Sequence, residues 1–147
     1  MELQKGSLGL LTLVNQADLA RLIDTLAEWQ IQTYQLNGGA IRDTASFWAQ
    51  AAIDLPLPPG RQAPTSWGAF SDNLWEIVQQ SEAGEFALVW SAVSNLLDGG
   101  LADLLASVDG LMTLSRQLYS PASPATPPKT LYLFLVGQGS NFPRVFT

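Results

Sequence analysis

The sequence predicts an α/β fold, with a parallel sheet and helices packed around it. Three observations carry this expectation. A short apolar run, a helix-period stripe and a second run follow one another between Leu10 and Leu36, which suits a parallel crossover unit. The run Leu131-Tyr132-Leu133-Phe134-Leu135 is apolar on both faces, as a central parallel strand should be. Apolar residues make up 47% of the 147 residues, enough to build the core of one domain.

The elements follow in order. Leu10 to Val14 reads as a short buried strand with Gly9 at its entry. Asn15 offers a side-chain acceptor for a helix start. Leu19, Leu22, Ile23, Leu26 and Trp29 then predict an amphipathic helix over 16–29. Ile31 to Leu36 is the second strand, closed by the turn signal Asn37-Gly38-Gly39. Asp43 or Thr44 caps a helix over roughly 45–53, which offers Phe47, Ala51 and Ile53 to the core. Pro56, Pro58, Pro59, Gly60 and Pro64 forbid regular helix over 54–65. Ser66 caps the next helix, which runs to about Gln80, with Trp67, Phe70, Leu74, Ile77 and Val78 as its buried stripe. A strand over Phe86–Trp90, a short helix near 91–97 and the break Asp98-Gly99-Gly100 follow. Leu101, Leu104, Leu105, Val108, Met112 and Leu118 mark a longer helix, in which Gly110 is unfavourable by propensity. The proline-rich segment 119–129 reads as an exposed, mobile loop, and Thr130 to Val136 as the last strand. Phe142, Val145 and Phe146 predict that the tail docks. Trp67, Phe70 and Trp90 are assigned to the core, and Trp29 and Trp48 to helix edges.

Composition narrows the chemistry. Seven basic against thirteen acidic residues give a net charge of −6, which disfavours direct nucleic-acid binding and favours a basic protein partner. There is no cysteine, so disulfides and thiolate metal sites are excluded. There is no histidine, so the commonest general base and metal ligand are absent. The acids show no short-range liganding pattern for magnesium or calcium. Gly137-Gln138-Gly139 lacks the further glycine or lysine of a nucleotide loop. These features predict a protein that is not an enzyme and takes no cofactor or metal. The run Leu8–Val14 is too short for a signal peptide, and no apolar stretch reaches the ~20 residues of a membrane helix. The expectation is a cytoplasmic protein with no membrane association.

The candidate site is the Ser66 helix. Asp72 and Glu76 lie one turn apart, away from the centre of the buried stripe, so they can hold carboxylates outward on a rigid base. Such a pair suits an arginine fork or a phosphate-binding pocket. Trp75 flanks the stripe, either completing the core or standing beside Asp72 as an interface anchor. Asp72 also lies within the first two helical turns, where an acid favours the helix dipole on its own account.

From Gln32 to about Gly137 the chain resembles the barstar family of ribonuclease inhibitors. In that family a strand and turn are followed by helix, loop, helix, strand, helix, helix and strand. Tyr34-Gln35-Leu36-Asn37-Gly38 resembles the family's opening strand and turn. Ser66-Trp67-Gly68-Ala69-Phe70 occupies the family's Asn-Leu-Asp-Ala-Leu-like motif, with Ser66 where Asn is usual and Gly68 where Asp is usual. Asp72 matches the aspartate that follows the motif, and Trp90 matches a strand-terminal tryptophan. The loop residues Gln62-Ala63-Pro64 lack the tyrosines and glycine often found there.

The resemblance implies a barstar-like core of three parallel strands with surrounding helices over 32–137. The strand–helix unit 1–31 extends the sheet to four strands, and 138–147 is a tail, all within one domain. It further implies an immunity protein that occludes the active site of a basic extracellular-type ribonuclease or related toxin. Asp72 supplies the central charge, in the place of an RNA phosphate. Trp75, Glu76, Ser66, Gly68 and Ser71 surround it as partner-binding residues. Two alternatives stay open: an interaction module on the same fold without nuclease inhibition, and a small enzyme using converging carboxylates.

Overall fold

A computed structural model describes residues 2–56, 64–121 and 125–146. Most of the proline-broken loop before Ser66 lies outside the described residues, as does the middle of the 119–129 segment. Strands Leu11–Asn15 (β1), Gln32–Asn37 (β2), Glu85–Ser91 (β3) and Thr130–Gly137 (β4) pair in parallel in the order β1-β4-β3-β2. The helices are Leu19–Glu28 (α1), Thr44–Asp54 (α2), Trp67–Gln80 (α3), Ser94–Gly99 (α4) and Leu101–Tyr119 (α5). This is the α/β architecture the sequence predicts, with a parallel sheet of four strands.

The central strands explain the two-sided apolar pattern. Phe86, Leu88 and Trp90 of β3 and Leu131, Leu133 and Leu135 of β4 point into one core, shared with Phe47, Phe70, Leu74 and Leu111 from α2, α3 and α5. Ala87 and Val89, with Phe134 and Val136, point the other way, onto Leu22 and Leu26 of α1. One face of the sheet therefore carries α1, and the opposite face carries α2, α3 and α5.

The N-terminal strand joins the sheet beside β4, at the opposite edge from β2. Helix α1 must therefore cross the whole sheet face to reach β2. The predicted helix over 16–29 divides: Gln16–Asp18 is a 3₁₀ turn, capped by Asn15 Oδ1 accepting from Ala17 N at 3.0 Å, and α1 proper follows. Asp43, rather than Thr44, caps α2, and Ser46 completes a reciprocal capping box. Trp48 lies in the core at 8% exposure rather than at a helix edge.

Gly38 and Gly110 are among the glycines fixed by close approach. A side chain at Gly38 would run into the carbonyl of Ser91 and the Trp90 ring. A Cβ at Gly110 would lie 2.9 Å from Trp67 Cε3. Gly110 is thus the position at which α5 accepts the indole from α3, which outweighs its poor helix propensity.

Lys129 departs from the expectation of an exposed 119–129 segment. It is buried at 7% exposure, and its Nζ donates to Val78 O at 2.9 Å and to Ser81 O. The tail docks as predicted, with Phe142, Val145 and Phe146 buried. No described helix is long and apolar enough to cross a membrane.

Candidate functional site

Helix α3 is gripped at both ends. At its start, Ser66 is extended, and its Oγ accepts from Ala69 N at 3.1 Å. Trp67 then enters an aromatic cluster, with its ring centroid 4.4 Å from Trp48 and 5.3 Å from Phe47. Phe47 in turn lies 5.1 Å from Trp90 and 5.4 Å from Phe70. At the other end the ammonium of Lys129 binds the carbonyls of Val78 and Ser81, where a helix terminus favours a cation. Phe70, Asn73, Leu74 and Val78 form the buried side between these anchors.

The outward side carries Gly68, Ala69 and Asp72, all exposed. Steps of one turn align Gly68, Asp72 and Glu76 on this strip. Asp72 makes no hydrogen bond or ion pair with any described residue. Other acids have internal duties. Asp43 caps α2, and the hydrogen bond from Ser46 holds its carboxyl below the usual range. Asp54 accepts from Asn37 N at 2.8 Å, and Asp103 accepts from Thr44 Oγ1 at 3.1 Å.

The remaining candidates divide. Glu76 is half-buried and accepts from Gln80 Nε2 at 3.3 Å, so it is partly committed within its own helix. Trp75 is half-buried and packs against the main core. Ser71 is half-buried, and the Ser66 hydroxyl is engaged as the cap. A Cβ at Gly68 would meet only Ser66 Oγ, at 3.9 Å. No contact with a described residue requires glycine there, and position 68 offers no side chain to the strip one turn before Asp72.

No protein-family model, curated protein or solved structure matches this chain.

Two arrangements escaped sequence reasoning. Lys129 follows a proline-rich run with no pattern that marks it as buried. Asp18 and Arg144 stand far apart in sequence, and only the placement of β1 beside β4 brings them together. The one available signal was the cluster Phe142, Val145 and Phe146, which required something for the tail to dock on.

Proposed function

We propose that this chain is a binding protein that occludes the active site of a basic ribonuclease or related toxin through the outward strip of α3. The observation that carries the reading is Asp72. It is a carboxylate exposed at mid-helix, free of bonds to any described residue, on a helix anchored at both ends. Such a group loses little freedom on binding, so its charge is available to an arginine or lysine pocket at small entropic cost. The net charge of −6 favours encounter with a basic partner. The element order and the parallel sheet accord with the barstar-like resemblance. In this reading the protein acts in the cytoplasm of the producing cell and performs no turnover.

A second reading is an interaction module on the same fold without nuclease inhibition. Gly68 favours it, because the strip lacks a carboxylate where the barstar family carries one. A ribonuclease assay separates the two. The purified chain is added to small basic secreted ribonucleases, and RNA cleavage is followed. Stoichiometric loss of cleavage supports inhibition, and undiminished cleavage across the set favours the module.

A further inference from the structure

Residues 142–146 form a short arm after β4, and residues 3–21 hold it position by position. Asn15 binds the arm twice. Its Nδ2 donates to Phe142 O at 3.0 Å, and its backbone N–H donates to Pro143 O at 3.0 Å. Arg144 Nη2 lies 2.8 Å from Asp18 Oδ1, and the other carboxylate oxygen accepts from Val145 N at 2.8 Å. Leu3 N donates to Val145 O at 2.8 Å. The guanidinium of Arg21 lies 4.7 Å from the centroid of the Phe146 ring.

Asp18 makes this a built seat. It is a carboxylate withdrawn from water, at 2% exposure, and the arm supplies the hydrogen bonds that offset its burial. The seat also selects by charge. Arg144 is the one charged side chain between 138 and 147, on a chain of net charge −6. The arm is therefore the part of the chain that an acidic body attracts.

A hinge joins the arm to β4. Gln138 N donates to Ser94 Oγ at 2.9 Å and marks the fixed base. Gln138 to Asn141 are exposed. Gly139 has φ +99°, and Phe142 N donates to Gly139 O at 3.1 Å, which folds the chain back toward its own seat. Straightened, Gly139–Asn141 reach about 10 Å and direct the arm away from β4 instead.

We propose that the arm exchanges between two copies of this chain, each seating Phe142–Phe146 on Asn15 and Asp18 of the other. Closure within one chain and closure between two use the same bonds, and only the hinge differs. Each copy gives one arm and receives one, so the assembly closes as a two-fold dimer. A short linker is equivalent to arm at roughly millimolar concentration, so exchange competes with closure near that concentration.

The chain has no cysteine, so added thiols can report the exchange. Leu3 and Val145 pack in one cluster with their backbones a hydrogen bond apart, which suits a disulfide. Full-length copies with Leu3→Cys are mixed, at about 1 mM, with copies carrying Val145→Cys. A parallel mixture replaces Val145→Cys by Tyr119→Cys, at a position 61% exposed. The first mixture should give about tenfold or more covalent dimer than the second, because a seated arm holds the two thiols together. Adding Arg144→Ala to the Val145→Cys copy should abolish that excess. Equal yields overturn the proposal, as does an excess that survives Arg144→Ala. The unsubstituted chain gives an independent reading. Isotope-labelled copies mixed with unlabelled ones should show contacts between Phe146 of one copy and Arg21 of the other. A chain that sediments only as a monomer at that concentration overturns the exchange. So does a dimer lacking those contacts, in which each arm stays on its own seat.

Discussion

The carboxylate of Asp18 accepts from Arg144 Nε at 2.9 Å and from Val145 N at 2.8 Å, which ties the end of the chain to its beginning. Asp18 is 2% exposed, while the Arg144 side chain stays largely in water at 59%. Asn15 reinforces the tie, with Nδ2 donating to Phe142 O at 3.0 Å, and Leu3 N donates to Val145 O at 2.8 Å. The N-terminal unit thereby seats Val145 and Phe146 over α1.

Asp18→Asn should lower stability at neutral pH by about 1–3 kcal/mol, the usual range for losing bonds to a buried charged acceptor. The Arg144 guanidinium holds the Asp18 carboxyl below its usual range, against the opposing effect of burial. This contribution is therefore full above the ordinary carboxylate value of about 3.9, and it is lost as pH falls through the lowered value in the folded protein. Chemical denaturation as a function of pH should show that acid limb in the parent and a shallower one in the variant. Identical limbs would remove Asp18 from the account of the tail.

Gly110→Ala should destabilise the protein, although alanine is the better helix former by about 1 kcal/mol. The Cβ would press on Trp67, and that ring is held by Phe47, Trp48 and Phe70. Overpacking of about 1–3 kcal/mol outweighs the propensity gain. Thermal unfolding checks the sign, and a raised midpoint contradicts the packing described here.

Lys129→Met keeps the apolar stem and removes the ammonium. The Val78 and Ser81 carbonyls then lose their donor at the end of α3, at a cost of about 1–3 kcal/mol. Hydrogen exchange should quicken first in the last turn of α3. Unchanged exchange there would show that the helix end does not depend on the lysine.

The order of strands and helices was readable because local patterns carry it. Val14, Leu22 and Leu26 were buried as their spacing required, and β3 and β4 were apolar on both faces because helices cover both. The position of β1 beside β4 was not readable, because edge choice depends on long-range pairing that leaves no local mark. The same holds for Asp18 with Arg144 and for Lys129 with Val78. Gly110 was read through propensity alone, while its meaning lies in a ring from another helix. At the site, the exposure of Asp72 followed from helical periodicity. The partial burial of Glu76 and Trp75 did not, since both sit where the buried and open faces meet.

Association with a basic ribonuclease should slow as salt rises, because steering by a net charge of −6 is screened over roughly 10 Å at 0.1 M ionic strength. Stopped-flow association across a salt series checks this. A rate indifferent to ionic strength removes steering from the mechanism.

The most direct test is isothermal titration of a ribonuclease that the parent chain inhibits against Asp72→Ala. The account predicts a loss of about 2–4 kcal/mol or more with the fold intact, a size carried over from charged anchor residues in complexes of the barstar kind. An affinity unchanged from the parent would contradict the claim that Asp72 is the group the partner grips.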